Sequence, residues 1–175
     1  MKSKISLWQF FGFGFTSLFG TLLHYLYEWN EENVITALFS GVNESTWEHM
    51  KLLYFPLLVF SIIEYFVWGQ KNKNYWCIKL IGTTVGLISI PVIFYTLNGI
   101  FGKTPDWVNI TIFFVAAALT YLIETILFKK NKACSISSRL SFILLCVIGI
   151  LFFIFTFYPP HIELFRDPVT DQYGI

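Results

Sequence analysis

The sequence predicts an all-α polytopic membrane protein, a bundle of five transmembrane helices with the amino terminus inside and the carboxyl terminus outside. Three observations predict it. Hydrophobic residues make up 55% of the chain and charged residues only 13%, and the mean hydropathy is +0.62. Soluble domains are roughly 45–50% apolar with about 25% charged residues, so this many Phe, Ile and Leu side chains call for lipid as their solvent. Apolar windows of spanning length recur along the chain, and basic and acidic residues alternate from loop to loop.

A hydrocarbon core of about 30 Å takes about 20 apolar residues to cross. Four windows reach that length: 5–29, 75–97, 106–128 and 137–158. A fifth, 46–69, reaches it when its helix begins at Thr46. "STWE", Ser45 to Glu48, has the pattern of a capping box, in which the Ser45 hydroxyl takes the Glu48 N–H and the Glu48 side chain reaches back. Pro56 then lies inside the helix, where it frees the carbonyl of Leu52 and bends the axis. "MKSK" before the first window resembles the n-region of a signal peptide. The apolar run after it is too long for an ordinary h-region and no A-x-A site follows, so a retained span is expected. No repeat or linker divides the chain. Residues 1–175 read as a single transmembrane domain with an outer loop at 30–45 and an outer tail at 159–175.

Orientation follows from the basic residues, which favour the cytoplasmic side. Lys2, Lys4, Lys71, Lys73, Lys79, Lys129, Lys130, Lys132 and Arg139 fall at one end of the bundle, nine of the 12 basic residues. Nine of the 11 acids fall at the other, with only Lys51, Lys103 and Arg166. That sorting gathers the histidines and most carboxylates on the outer face. Trp8, Trp29, Trp47, Trp68, Trp76 and Trp107 all lie near window ends, the positions of an interfacial aromatic belt.

The outer face carries the chemistry. "HYLYEW" (24–29) ends the first window and "VNESTWEHMK" (42–51) opens the second. Gly12, Thr16, Gly20 and His24 are four apart, and small residues at that spacing let helices approach closely, which turns His24 inward. Glu44 and Glu48 are four apart, and carboxylates withdrawn from water suit proton transfer. The candidate catalytic residues are therefore Glu44, Glu48, His49 and His24. Asn43, Trp47, Lys51, Tyr95, Arg166 and Asp167 are the candidate substrate-binding residues, with Lys51 and Arg166 able to receive an anionic headgroup. Mixed nitrogen and oxygen donors also suit a divalent metal such as zinc, held by His24, Glu44, Glu48, His49 or His161. Pro159 and Pro160 stop the last helix, and Phe165 and Tyr173 anchor the tail, which is expected to fold back as a lid. Glu64 and Glu124 lie near the inner ends of their helices, where each is expected to pair with a nearby lysine or serve an inner proton relay. Cys77, Cys134 and Cys146 show no CxxC spacing and read as small packing residues. Rhomboid G-x-S-x-G, zincin H-E-x-x-H, P-loop, dinucleotide-binding and nucleic-acid signatures are absent.

Asn43, Glu44, Ser45, Trp47, Glu48, His49 and Lys51 give the pattern N-E-S-x-W-E-H-x-K, and the tail gives P-P…F-x-D-P…Y-G. In both, nearly the whole chain resembles a family of small bacterial integral membrane proteins catalogued as a domain of unknown function. The resemblance implies a multi-span fold in a bacterial plasma membrane and brings no activity with it. The residues themselves point to an enzyme that works by acid–base or metal-assisted chemistry on a lipidic or small polar molecule. A small ion-coupled carrier, or an assembly subunit with a polar docking cap, are the other classes consistent with them.

Overall fold

Ser45 begins the helix that organises the bundle. Its hydroxyl accepts the N–H of Glu48 at 3.4 Å and so caps the helix that runs Thr46–Val67. The computed structural model describes residues 2–130 and 134–175; Lys132, counted above among the basic residues, lies outside them. In chain order the elements are α1 (Lys2–Trp29), the single turn α2 (Val34–Ala37), α3 (Thr46–Val67), α4 (Tyr75–Phe101), α5 (Asp106–Lys130) and α6 (Ser138–Phe157). Short 3-10 turns follow α3 at Gly69–Lys71 and α6 at Glu163–Phe165. Among the described residues there is no strand, and one isolated bridge joins Arg166 to Tyr173 in the tail.

Four helices, α3 to α6, are long and apolar enough to cross a membrane. α1 has 28 residues and therefore the length, but it falls outside that set. Gln9, His24, Glu28 and its interspersed glycines and threonines dilute its apolarity. Its outward face still presents Phe10, Phe11 and Leu18 at 58–69% exposure.

α3 lies at the centre, in contact with α1, α4, α5 and α6. Leu52, Leu53, Tyr54, Phe55, Leu57 and Phe60 of α3 are buried, and α4 to α6 add Leu87, Ile90, Ala116, Ala117, Leu145 and Phe152. Pro56 sits within α3, where it cannot donate to the carbonyl of Leu52. α1 passes close to that carbonyl at Gly20: a Cβ there would stand 2.9 Å from the Leu52 oxygen and 2.5 Å from Cζ of Phe113. Only a residue without a side chain lets α1 settle at this depth. One helical turn earlier, the Thr16 hydroxyl bonds the Tyr121 hydroxyl at 2.7 Å. The small-residue stripe thus locks α1 against α3 and α5 and delivers His24 to the end of the bundle where α3 begins.

One expectation changes. Cys77 and Cys134 are not separate packing residues; they form a disulfide between the start of α4 and the segment before α6, leaving Cys146 free. Their separation of 57 residues hid the pairing from any spacing rule. The tryptophans also differ in their surroundings. Trp29 and Trp107 are exposed, but Trp47, Trp68 and Trp76 pack into the bundle, Trp68 edge-on to Phe128 and Trp76 against Tyr65 and Phe142.

Candidate functional site

The segment between α2 and α3 is built to present Glu44. Asn43 Oδ1 accepts the Ser45 N–H at 2.9 Å, a local turn that competes with any earlier helix start. Its Nδ2 donates to the Gly174 carbonyl at 3.0 Å, tying the loop to the far end of the chain. The Glu48 side chain does not complete the capping box. Its Oε2 accepts the Val42 N–H at 3.1 Å instead, because Asn43 already holds the Ser45 N–H.

His24 from the end of α1, Glu44 from the loop and His49 from the first turn of α3 converge. Each offers a ligand atom, and the three atoms lie within 4.8 Å of one another. His24 Nε2 is 3.8 Å from Glu44 Oε1, and His49 Nε2 is 3.5 Å from Glu44 Oε2. The imidazole rings are 5.7 Å apart between centroids. His49 Nδ1 bonds the Ser45 carbonyl oxygen at 3.0 Å. A carbonyl only accepts, so Nδ1 carries a hydrogen, and in the neutral ring Nε2 then keeps its lone pair turned towards Glu44. The Glu44 side chain is 46% exposed, so the cluster is open on one side. A cavity of about 20 Å³ adjoins the cluster, lined by Glu44, Thr46 and His49, by Asn109, and by Ile90, Phe94, Ile112 and Phe113 of α4 and α5.

The other candidates are drawn elsewhere. Glu48 and Lys51 are both buried and pair at 2.5 Å. Lys51 also donates to the Ala37 carbonyl at 2.8 Å and the Thr156 hydroxyl at 2.9 Å, which uses all three of its donors within the protein. This arrangement ties α2, α3 and α6 together, and it engages Lys51 and Glu48 with each other, apart from the group formed by His24, Glu44 and His49. Trp47 packs against Phe152 and Phe165 on the α6 side. Tyr95 is half-exposed and its hydroxyl receives a long bond from Thr46, 3.4 Å. Arg166 lies between Glu163 and Asp171, at 2.9 and 2.6 Å, and hydrogen bonding to both carboxylates holds its protonation above the usual arginine range. Asp167 is buried and accepts from the Val169 N–H and the Thr170 hydroxyl within its own turn. His161 stacks on Tyr173 at 4.6 Å, away from the donor cluster. The tail does fold back, through Phe165 on Trp47 and Gly174 on Asn43, but it roofs the start of α3, and none of its residues lines the cavity.

At the opposite end of the bundle, Lys79 is fully buried between Glu64 and Glu124, at 2.5 and 2.6 Å. Gln9 Nε2 and the Tyr75 hydroxyl donate to Glu64 at 2.8 and 3.0 Å. Pairing of these acids with lysine is what the sequence led us to expect, but the partner is one buried residue and not the exposed loops. A lysine four residues into an apolar helix was the available signal, since a charge in such a run needs a partner.

A helical bundle with apolar spans and a histidine–carboxylate cluster at one end defines the class of protein. The chain belongs to a family of unknown function (DUF6512), whose pattern it matches over residues 1–175. No curated protein and no solved structure matches it.

Proposed function

We propose that this is a five-span protein of a bacterial plasma membrane, whose outward-facing cluster of His24, Glu44 and His49 holds a divalent ion such as zinc for chemistry on a lipidic or small polar molecule. The observation that carries this is the convergence of three donor atoms within 4.8 Å, one of them on a histidine whose other nitrogen is already fixed. Two imidazoles and one carboxylate are the donor set of many catalytic zinc sites, which keep a fourth position open for water or substrate. An ion so held polarises a carbonyl or phosphoryl oxygen, or supplies a hydroxide near neutral pH. The exposed edge of Glu44 gives a substrate its way in, and Ile90, Phe94, Ile112 and Phe113 give the adjoining cavity apolar walls.

The exposed aromatic face of α1 supports a fifth span, and the sorting of basic residues supports an outward site. The cluster favours an enzyme over a carrier. A carrier would need its inner acids free, and Glu64 and Glu124 are both engaged by Lys79. The test is zinc content and zinc affinity of the chain purified in lipid nanodiscs, with His24→Ala and His49→Ala beside it, followed by mass spectrometry of native lipid extract incubated with the zinc-loaded protein. About one zinc per chain, lost in both variants, and a lipid species consumed only with zinc present are expected. Zinc bound equally by wild type and variants overturns the site, and zinc without any turnover overturns the enzyme reading.

A further inference from the structure

Asn109 stands in the first turns of α5, a helix that supplies none of the three donors. Its Oδ1 is buried and has no hydrogen-bond partner among the described residues. Leaving a buried acceptor unmade costs about 1–3 kcal/mol. Asn109 also lines the cavity of about 20 Å³ that borders Glu44 and His49. The space is large enough to admit a water, which needs two to four polar partners. Among its lining residues Asn109, Thr46, Glu44 and His49 are polar while the other four are apolar.

We infer that Asn109 is a positioning residue of the metal centre, its amide oxygen accepting a hydrogen bond from a water held in this cavity at the ion's open coordination position. The inference rests on the proposed metal site and names the residue that orients its fourth ligand. An amide oxygen only accepts, so it selects a ligand that carries a hydrogen, and it aims that ligand's remaining lone pair away from α5. In the sequence Asn109 shows only an N-x-T sequon; helix packing brings it to the cavity that Glu44 and His49 also line.

The experiment uses the full chain in nanodiscs with Co²⁺ as the probe, its affinity followed by absorption and its inner-sphere water by the paramagnetic relaxation of solvent protons. Asn109→Leu removes the acceptor at similar volume, and Asn109→Asp keeps an oxygen in place. The expected result is a 10–100-fold loss of Co²⁺ affinity in Asn109→Leu, the range for losing a hydrogen-bond partner of a metal's ligand, with the inner-sphere water contribution lost or altered. Asn109→Asp should keep that contribution. A purely structural role would lower the yield of folded protein and leave the water contribution of the folded fraction unchanged, which would overturn the inference. If Asn109→Leu does not fold, Asn109→Ala serves, and wild-type relaxation there overturns the inference equally. Wild-type protein that binds no Co²⁺ overturns the metal site and this inference with it. Binding that depends on His24, Glu44 and His49 but ignores Asn109 overturns this inference alone.

Discussion

The Nδ1 nitrogen of His49 donates to the carbonyl oxygen of Ser45 at 3.0 Å, one turn back on the same chain. A helix-start carbonyl thereby chooses the tautomer of a side chain that faces the donor cluster. Ligating histidines commonly hold their second nitrogen in this way. Zinc binding requires unprotonated imidazoles and releases protons. Affinity measured by chelator competition is therefore expected to fall as the pH is lowered. Glu44→Gln removes the anionic donor and is expected to weaken zinc binding at any given pH.

Glu48 and Lys51 separate a structural role from a chemical one. Their pair is buried, and removing one partner of a buried pair costs about 3–5 kcal/mol. Glu48→Gln is expected to lower stability by about that much in a denaturant titration while the folded fraction still binds zinc. The double variant Glu48→Gln with Lys51→Met should recover part of the loss, because no charge is left unpaired. Loss of zinc binding from a Glu48→Gln protein that is fully folded would return Glu48 to the metal centre.

Lys79 neutralises two acids at once. Lys79→Met leaves Glu64 and Glu124 buried together without a cation, and a loss of about 3–5 kcal/mol or more is expected. Adding Glu64→Gln and Glu124→Gln should restore much of it. Thermal unfolding of the single and triple variants in detergent measures both effects. Equal stability of Lys79→Met and wild type would show that the triad carries no net weight.

Gly20 couples packing to the site. Its absent Cβ leaves room for Phe113 and the Leu52 carbonyl at 2.5 and 2.9 Å, so Gly20→Ala must push α1 away from α3 and α5. Overpacking of this kind costs about 1–3 kcal/mol. His24 lies one turn further along α1, so the same change should also weaken zinc binding. Gly14→Ala is the control, since a Cβ there meets nothing within 4 Å; it should leave both stability and zinc affinity near wild type.

The disulfide bears on orientation. Cys77 and Cys134 lie at the end that carries the basic residues, which the charge sorting assigns to the cytoplasm, where such bonds are ordinarily kept reduced. The bond predicts that, in whole cells, a membrane-permeant maleimide labels Cys77 and Cys134 only after reductant is added. Labelling of both without reductant would show the bond open in the cell, as a cytoplasmic position of that end requires.

Local signals in the sequence were enough for the pieces that depend on near neighbours. Ser45 before an apolar run marks the start of α3, small residues at four-residue spacing mark the packed face of α1, and low charge across long windows marks the apolar spans. Each of these is set by backbone geometry and solvation within a few turns of helix. The division of labour among the polar residues was not legible in the same way. Glu44 and Glu48 look equivalent in sequence, yet one joins two histidines and the other is consumed by Lys51 and Thr156.

What the sequence determined by itself was composition, helix periodicity and the end of the bundle to which each charge belongs, because these follow from the cost of placing charges and bare backbone in an apolar medium. Tertiary structure alone decided the partners: which carboxylate meets His24, that Lys79 joins Glu64 to Glu124, that Cys77 bonds Cys134, and that Asn109 reaches the cavity. The physical reason is range. A buried ion pair or donor cluster depends on distances of a few ångströms between helices far apart in sequence, and side-chain packing between those helices sets such distances.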